Sequence, residues 1–137
     1  MNAPKEKNNQ ALIAIVDDDL SFREALESLL RLIGFQTAIF ASARNFLDSP
    51  QLPKVSCAIL DVSMPGMDGL ELQRHLVATH RIPIIFITDL RDAKTREQAV
   101  RAGAISFLNK PFSEETLIDA LNSALRVNRA TRLASMT

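Results

Sequence analysis

The chain has 137 residues, 47% of them hydrophobic and 23% charged, with 16 basic residues set against 16 acidic ones. That is enough for one domain with its own core, and too apolar for a disordered segment. The even charge balance argues against a general nucleic-acid or anionic-membrane binder, and no apolar run reaches the ~18 residues a membrane span needs.

Residues 1–10, MNAPKEKNNQ, lack the apolar core of a secretory signal and read as a flexible polar tail. An apolar strand at 12–16 then runs directly into Asp17, Asp18 and Asp19. Residues 21–33 place Phe22, Leu26, Leu29, Leu30 and Ile33 at helical spacing. Ser21 and Glu24 offer a capping box at the start of that helix, and Gly34 stops it. FQTAIF is a short strand, and ARNFLDS a weak helix closed by Pro50 and Pro53. VSCAIL is a third, buried strand ending at Asp61. The lone Cys57 reads as one of its small apolar residues and cannot form an internal disulfide, as expected in a reducing cytoplasm.

SMPGM, residues 63–67, is turn chemistry, with Pro65 and Gly66 as turn formers. Asp68 with Glu71 caps a helix carrying Leu70, Leu72, Leu76 and Val77. IPIIFIT is a fourth strand, apolar on both faces and ending in Thr88 and Asp89. A helix over 93–102, with only Ala93, Ala99, Val100 and Ala102 as apolar content, stops at Gly103. AISFLN is the fifth strand and leads into Lys110-Pro111. A last helix over 113–126 turns Leu117, Ile118, Leu121 and Leu125 inward and carries Glu114 and Glu115 at its positive end. Residues 128–137 either continue that helix or fray.

Five apolar strands alternating with helices predict an α/β fold: a parallel sheet covered on both faces and doubly wound by right-handed crossovers. Sites in such folds form outside the carboxyl ends of the strands. The first strand ends in three aspartates, the third in Asp61, the fourth in Thr88-Asp89 and the fifth in Asn109-Lys110. Neighbouring carboxylates about 4 Å apart repel by about 4 kcal/mol at an effective dielectric near 20. A cation relieves that repulsion, and all-oxygen ligands select a hard ion such as Mg²⁺. A carboxylate can also act as a nucleophile toward phosphorus, and phosphoryl transfer needs mainly positioning and charge neutralisation. Lys110 and Thr88 are the groups suited to supply these.

VDDD after the first strand, LDVSMPGMDG around Asp61, IFITD at the fourth strand and FLNKPF at the fifth carry a resemblance. Together and in this order, they resemble the receiver domain of two-component response regulators, over residues 11–127. ASARNFLDS resembles the FixJ/NodW-like branch of that family. The resemblance implies the (βα)5 flavodoxin-like, CheY-like sandwich with strand order 2-1-3-4-5. It implies that Asp61 accepts a phosphoryl group from a histidine kinase, and that Mg²⁺ binds Asp18 directly with Asp61 also in the metal site. Asp17 would support the ion, and the backbone carbonyl of Ser63 would be a further ligand. Thr88 would bond a phosphoryl oxygen and move inward, Lys110 would pair with the phosphoryl group, and Phe107 would change rotamer with Thr88. Lys110-Pro111 would be a cis peptide.

The same residues have plainer readings. Asp19 suits a helix N-terminus and Asp68 a helix cap. Phe107 taken alone reads as core. His75 and His80, and the stripe of Arg126, Arg129 and Arg132, read as solvated. Asp89 departs from the alanine or glycine usual in the family after the strand-four threonine. It would either repel and obstruct an incoming phosphoryl donor or point to solvent without effect.

The family likeness makes the chain a signalling domain that catalyses its own phosphoryl transfer and autodephosphorylation, not a turnover enzyme. A haloacid-dehalogenase-type phosphatase needs an aspartate at position 63, where this chain has Ser63; a flavodoxin-like FMN binder needs a Gly/Ser/Thr loop in place of the aspartates. A receiver-like interaction module that is never phosphorylated is the remaining alternative. The weakly apolar helix 93–102, the strand after it and the last helix are the expected output surface, through which the chain would pair with a second copy. No membrane and no direct contact with nucleic acid are expected of residues 1–137.

Overall fold

The computed structural model describes residues 11–136; the expected tail at 1–10 lies outside the described residues. Five strands, β1 (Leu12–Val16), β2 (Gln36–Phe40), β3 (Cys57–Leu60), β4 (Ile84–Thr88) and β5 (Ser106–Asn109), form one sheet. Its order is β2-β1-β3-β4-β5 and every pairing is parallel, as expected. The connecting helices are α1 (Leu20–Ile33), α2 (Ala43–Leu47), α3 (Gly69–Thr79), α4 (Ala93–Arg101) and α5 (Glu114–Met136), with a 3-10 turn at Leu52–Lys54.

Strand alternation divides the core in two. Ala14, Val16, Ala58, Leu60, Ile84 and Phe86 pack with Phe46, Leu72, Leu76 and Ala99, on the side of α2, α3 and α4. Ile13, Ile15, Cys57, Ile59, Ile85 and Ile87 pack with Leu26, Leu30, Leu117 and Leu121, on the side of α1 and α5. The β1, β3 and β4 strands are buried along their full length, which is why their sequences show no polar alternation.

Register places the strand ends. Val16 lies opposite Leu60, so Asp17 and Asp61 leave the sheet side by side. Leu60 lies opposite Phe86, and Thr88 opposite Asn109, which brings Thr88 and Lys110 to the same edge.

One element differs from expectation. α1 is not opened by the Ser21/Glu24 box: it begins at Leu20, and Asp19 is the cap, accepting the Phe22 N–H at 3.2 Å. A short carboxylate one residue before the helix meets the orphan donors directly, so Ser21 falls inside the first turn. The last helix runs from Glu114 to Met136, continuing past residue 126 through the described residues. Of the apolar residues in α4 only Ala99 is buried, while Val100 is 52% exposed. That helix is tied to α3 by the Gln73 side-chain amide, which donates to the Ala99 carbonyl at 2.9 Å. Asp68 caps α3 as expected, accepting the Glu71 N–H at 2.9 Å.

Candidate functional site

The loops leaving β1 and β3 bring carboxylate oxygens of Asp17, Asp18 and Asp61 within 4.8 Å of one another. Asp17 is 2% exposed and Asp61 8%, whereas Asp18 is open to solvent. Asp17 is fixed at both oxygens: Oδ1 accepts the Asp19 N–H at 2.8 Å, and Oδ2 faces the Lys110 ammonium at 3.3 Å. Its carbonyl accepts from Arg23 at 2.6 Å. Lys110 reaches across from the end of β5, and its Nζ also stands 3.8 Å from the centre of the Phe22 ring. The Lys110-Pro111 peptide is cis, in agreement with expectation.

Burial raises the pKa of both Asp17 and Asp61 above the ordinary value of 3.8. At Asp61 the Thr88 hydroxyl, the Lys110 ammonium and the backbone N–H groups of Ser63 and Val62 oppose the effect without cancelling it. Among the described residues, Asp61 Oδ1 is the buried side-chain oxygen without a hydrogen-bond partner. An orphaned buried carboxylate oxygen next to two more carboxylates is the donor set of a hard divalent cation, so the residues present fit Mg²⁺.

Thr88 is fully buried at the end of β4. Its hydroxyl accepts the Leu90 N–H at 3.1 Å. The Asn109 side-chain amide holds the same turn, donating to the carbonyls of Leu90 at 2.9 Å and Thr88 at 3.3 Å. Arg91 donates to the Lys110 carbonyl at 3.0 Å, tying the β4–α4 loop to the β5–α5 loop. Phe107 is 6% exposed, packed on Phe86 with ring centres 5.8 Å apart and with the Arg96 guanidinium 5.9 Å from its ring centre. Ser63 and Asp89 are both exposed.

Sequence reasoning missed four supports. Gly69 is the tightest: a Cβ there would lie 2.2 Å from the Asp61 carbonyl oxygen and 2.9 Å from the Val62 Cα. The start of α3 packs directly on the backbone of Asp61, with the Gly69 N–H bonded to the Val62 carbonyl at 2.8 Å. The Asp-Gly pair at 68–69, inside a helix start, is the signal that could have revealed it. Phe22, Asn109 and Gln73 carry no such signal, since an amphipathic helix accepts any apolar residue at 22 and a strand end accepts any polar one at 109.

The sequence profile of the response regulator receiver domain matches residues 13–122. The chain is 39% identical over 133 residues to Nodulation protein W of Bradyrhizobium diazoefficiens, covering 96% of this chain and 59% of that protein. It is 45% identical over 121 residues to the response regulator protein TmoT of Ectopseudomonas mendocina, covering 88% and 55%. Among solved structures, the response regulator StyR superposes with a TM-score of 0.85 at 43% identity, over 93% of this chain and 65% of that one. The chain belongs to the response regulator receiver family, whose members act in phosphorylation-dependent two-component signalling. It spans a little over half the length of the curated relatives it matches. No helix among the described residues is long and apolar enough to cross a membrane.

Two consequences are measurable. Gly69→Ala forces the start of α3 away from Asp61; the expected loss is about 3 kcal/mol in urea unfolding, at the upper end for overpacking, with reduced divalent-ion binding. The second concerns pH. A carboxylate with a raised folded pKa binds more protons folded than unfolded, so its contribution falls as pH rises from 3.8 through the folded value. In metal-free buffer at pH 7, Asp61→Asn is therefore expected to unfold at higher urea than the unsubstituted chain. That gap should close as pH falls toward 3.8, and shrink on adding Mg²⁺.

Proposed function

We propose that Asp61 is the phosphoacceptor of this receiver domain and that a cognate histidine kinase is the donor. An Asp61 carboxylate oxygen attacks phosphorus as the bond to the kinase imidazole breaks, giving an acyl phosphate. The observation that carries the reading is the orphaned, buried Asp61 oxygen set between two further aspartates and a lysine. Asp18, Asp17, Asp61 and the Ser63 carbonyl would hold Mg²⁺, which supplies neutralisation of phosphoryl charge when bound. Lys110 neutralises a phosphoryl oxygen, and the Thr88 hydroxyl, already next to Asp61, donates to another.

The phosphoryl group adds about −1.5 to −2 charge at Asp61. Thr88 turning toward it breaks the Thr88–Leu90 bond and vacates space beside Phe107, whose rotamer then changes. The α4, β5 and α5 elements form the surface that reports this, by pairing with a second copy; the sparse burial of α4 supports that assignment. The receiver unit is 11–127, with the residues from 128 to 136 as a helical extension. It works in the cytoplasm with its kinase, makes no direct contact with nucleic acid, and acts as a switch, its only chemistry being its own phosphorylation and autodephosphorylation.

Incubation with a small acyl-phosphate donor and Mg²⁺, read by phosphate-affinity gel retardation, tests the assignment. A retarded species is expected for the unsubstituted chain, none for Asp61→Asn, and a strongly reduced yield for Lys110→Ala. A retarded band persisting in Asp61→Asn rejects the acceptor; no band in the unsubstituted chain favours an interaction module that is never phosphorylated.

Asp89 is proposed as a brake on exchange at Asp61. Its exposed carboxylate follows Thr88 immediately, so an incoming anionic donor meets extra negative charge. Asp89→Ala is expected to react severalfold faster with the small donor, the acceleration shrinking at high salt. Equal rates would leave Asp89 a solvated loop residue.

A further inference from the structure

We propose that Phe22 is a positioning residue for Lys110: the face of its ring holds the ammonium beside the acidic cluster while Asp17 turns to a metal ion. The inference rests on the phosphoacceptor reading above and names a residue that reading does not use.

Lys110 sits on a flexible four-carbon stem and needs partners to stay in one place. Its side chain is 20% exposed, and the structure gives its Nζ two partners: Asp17 Oδ2 at 3.3 Å and the Phe22 ring centre at 3.8 Å. The first is contested. Asp17 belongs to the same cluster that a divalent cation would occupy, and the cation's charge repels the ammonium from it. The second is not contested, because an aromatic face attracts a cation without binding a hard metal ion and without cancelling the ammonium's charge. The lysine thus stays charged and close to Asp61 when its carboxylate partner is claimed.

The ring is itself held. Phe22 lies in the first turn of α1, its N–H bonded to the capping carboxylate of Asp19. It meets Phe112 in a T-shaped contact, at 81° with centres 6.3 Å apart, and Phe112 is two residues beyond Lys110. The β1–α1 loop that supplies the aspartates therefore runs straight into the helical turn that presents the ring, and the β5–α5 loop that supplies the lysine also braces it.

Bulk and aromatic character separate by substitution. Phe22→Leu keeps an apolar side chain against Phe112, and Phe22→Trp keeps the π face. At saturating Mg²⁺, phosphorylation of Phe22→Leu by the small acyl-phosphate donor is expected to fall about fivefold, the ratio that a cation–ring attraction of about 1 kcal/mol corresponds to. Phe22→Trp is expected to stay within twofold of the unsubstituted chain, and Mg²⁺ affinity to change less than twofold in both. In the unphosphorylated chain, NMR of labelled lysine should show Lys110 Hε resonances displaced upfield by the ring current, lost in Phe22→Leu and kept in Phe22→Trp. Equal rates for the leucine and unsubstituted chains, equal losses for leucine and tryptophan, or a Lys110 signal without ring-current displacement would each overturn the proposal. An unsubstituted chain that accepts no phosphoryl group would instead sink the phosphoacceptor reading, a failure visible before any Phe22 variant is compared.

Discussion

Carboxylates converge here where water is scarce, and the rest of the site is arranged around that constraint. Two of the three aspartates are almost fully buried, and burial is the leading cause of the raised pKa at each. Such an arrangement opposes folding at neutral pH, so the fold must supply compensation elsewhere. Part is local: the Asp19 N–H and the Lys110 ammonium serve Asp17. The remainder is left unmet at Asp61 Oδ1. A site that keeps one acceptor unsatisfied is poised to bind something positive.

Rigid placement comes from the sheet. β1 and β3 lie at its centre, each flanked on both sides, and are apolar through their last residue. A one-residue slip of either would exchange the two core faces, so the register that sets Asp17 beside Asp61 is guarded by every buried side chain of those strands. Gly69 extends the same precision to the helix side. Because α3 touches the Asp61 backbone without a side chain between, the Asp61 carbonyl and the start of the helix cannot move independently.

Most of this architecture was legible before any coordinates. Continuous apolar runs in β1, β3 and β4 announce strands buried on both faces, and the polar residues that end them mark one edge as the site. Local choices that several residues could satisfy were harder to read. Ser21 and Glu24 make a plausible capping box, yet Asp19 wins because it stands immediately before the helix with its carboxylate on the free N–H groups, while Ser21 lies within the first turn. The length of α5 was open because its final turns, past Leu125, carry few inward residues to fix an end. Phe22, Asn109 and Gln73 act across the fold, on Lys110, Leu90 and Ala99, and pairings between residues so far apart in sequence leave no trace in local pattern.

The distribution of stability also bears on signalling. The core strands and α1 bury large side chains, whereas α4 buries one alanine and is held to α3 by one side-chain amide. Between that helix and the acidic cluster lies a turn fastened by single hydrogen bonds: Thr88 to Leu90, Asn109 to both, and Arg91 to the Lys110 carbonyl. Each is worth about 1 kcal/mol net, and under the proposed phosphorylation a charge of about −2 at Asp61 would act on Thr88 and Lys110 at the same time. A perturbation comparable to the sum of those bonds can rearrange the turn without disturbing the sheet, whose β1, β3 and β4 strands are buried along their full length. The molecule is stiff where the carboxylates must be held together and soft where their state has to be read.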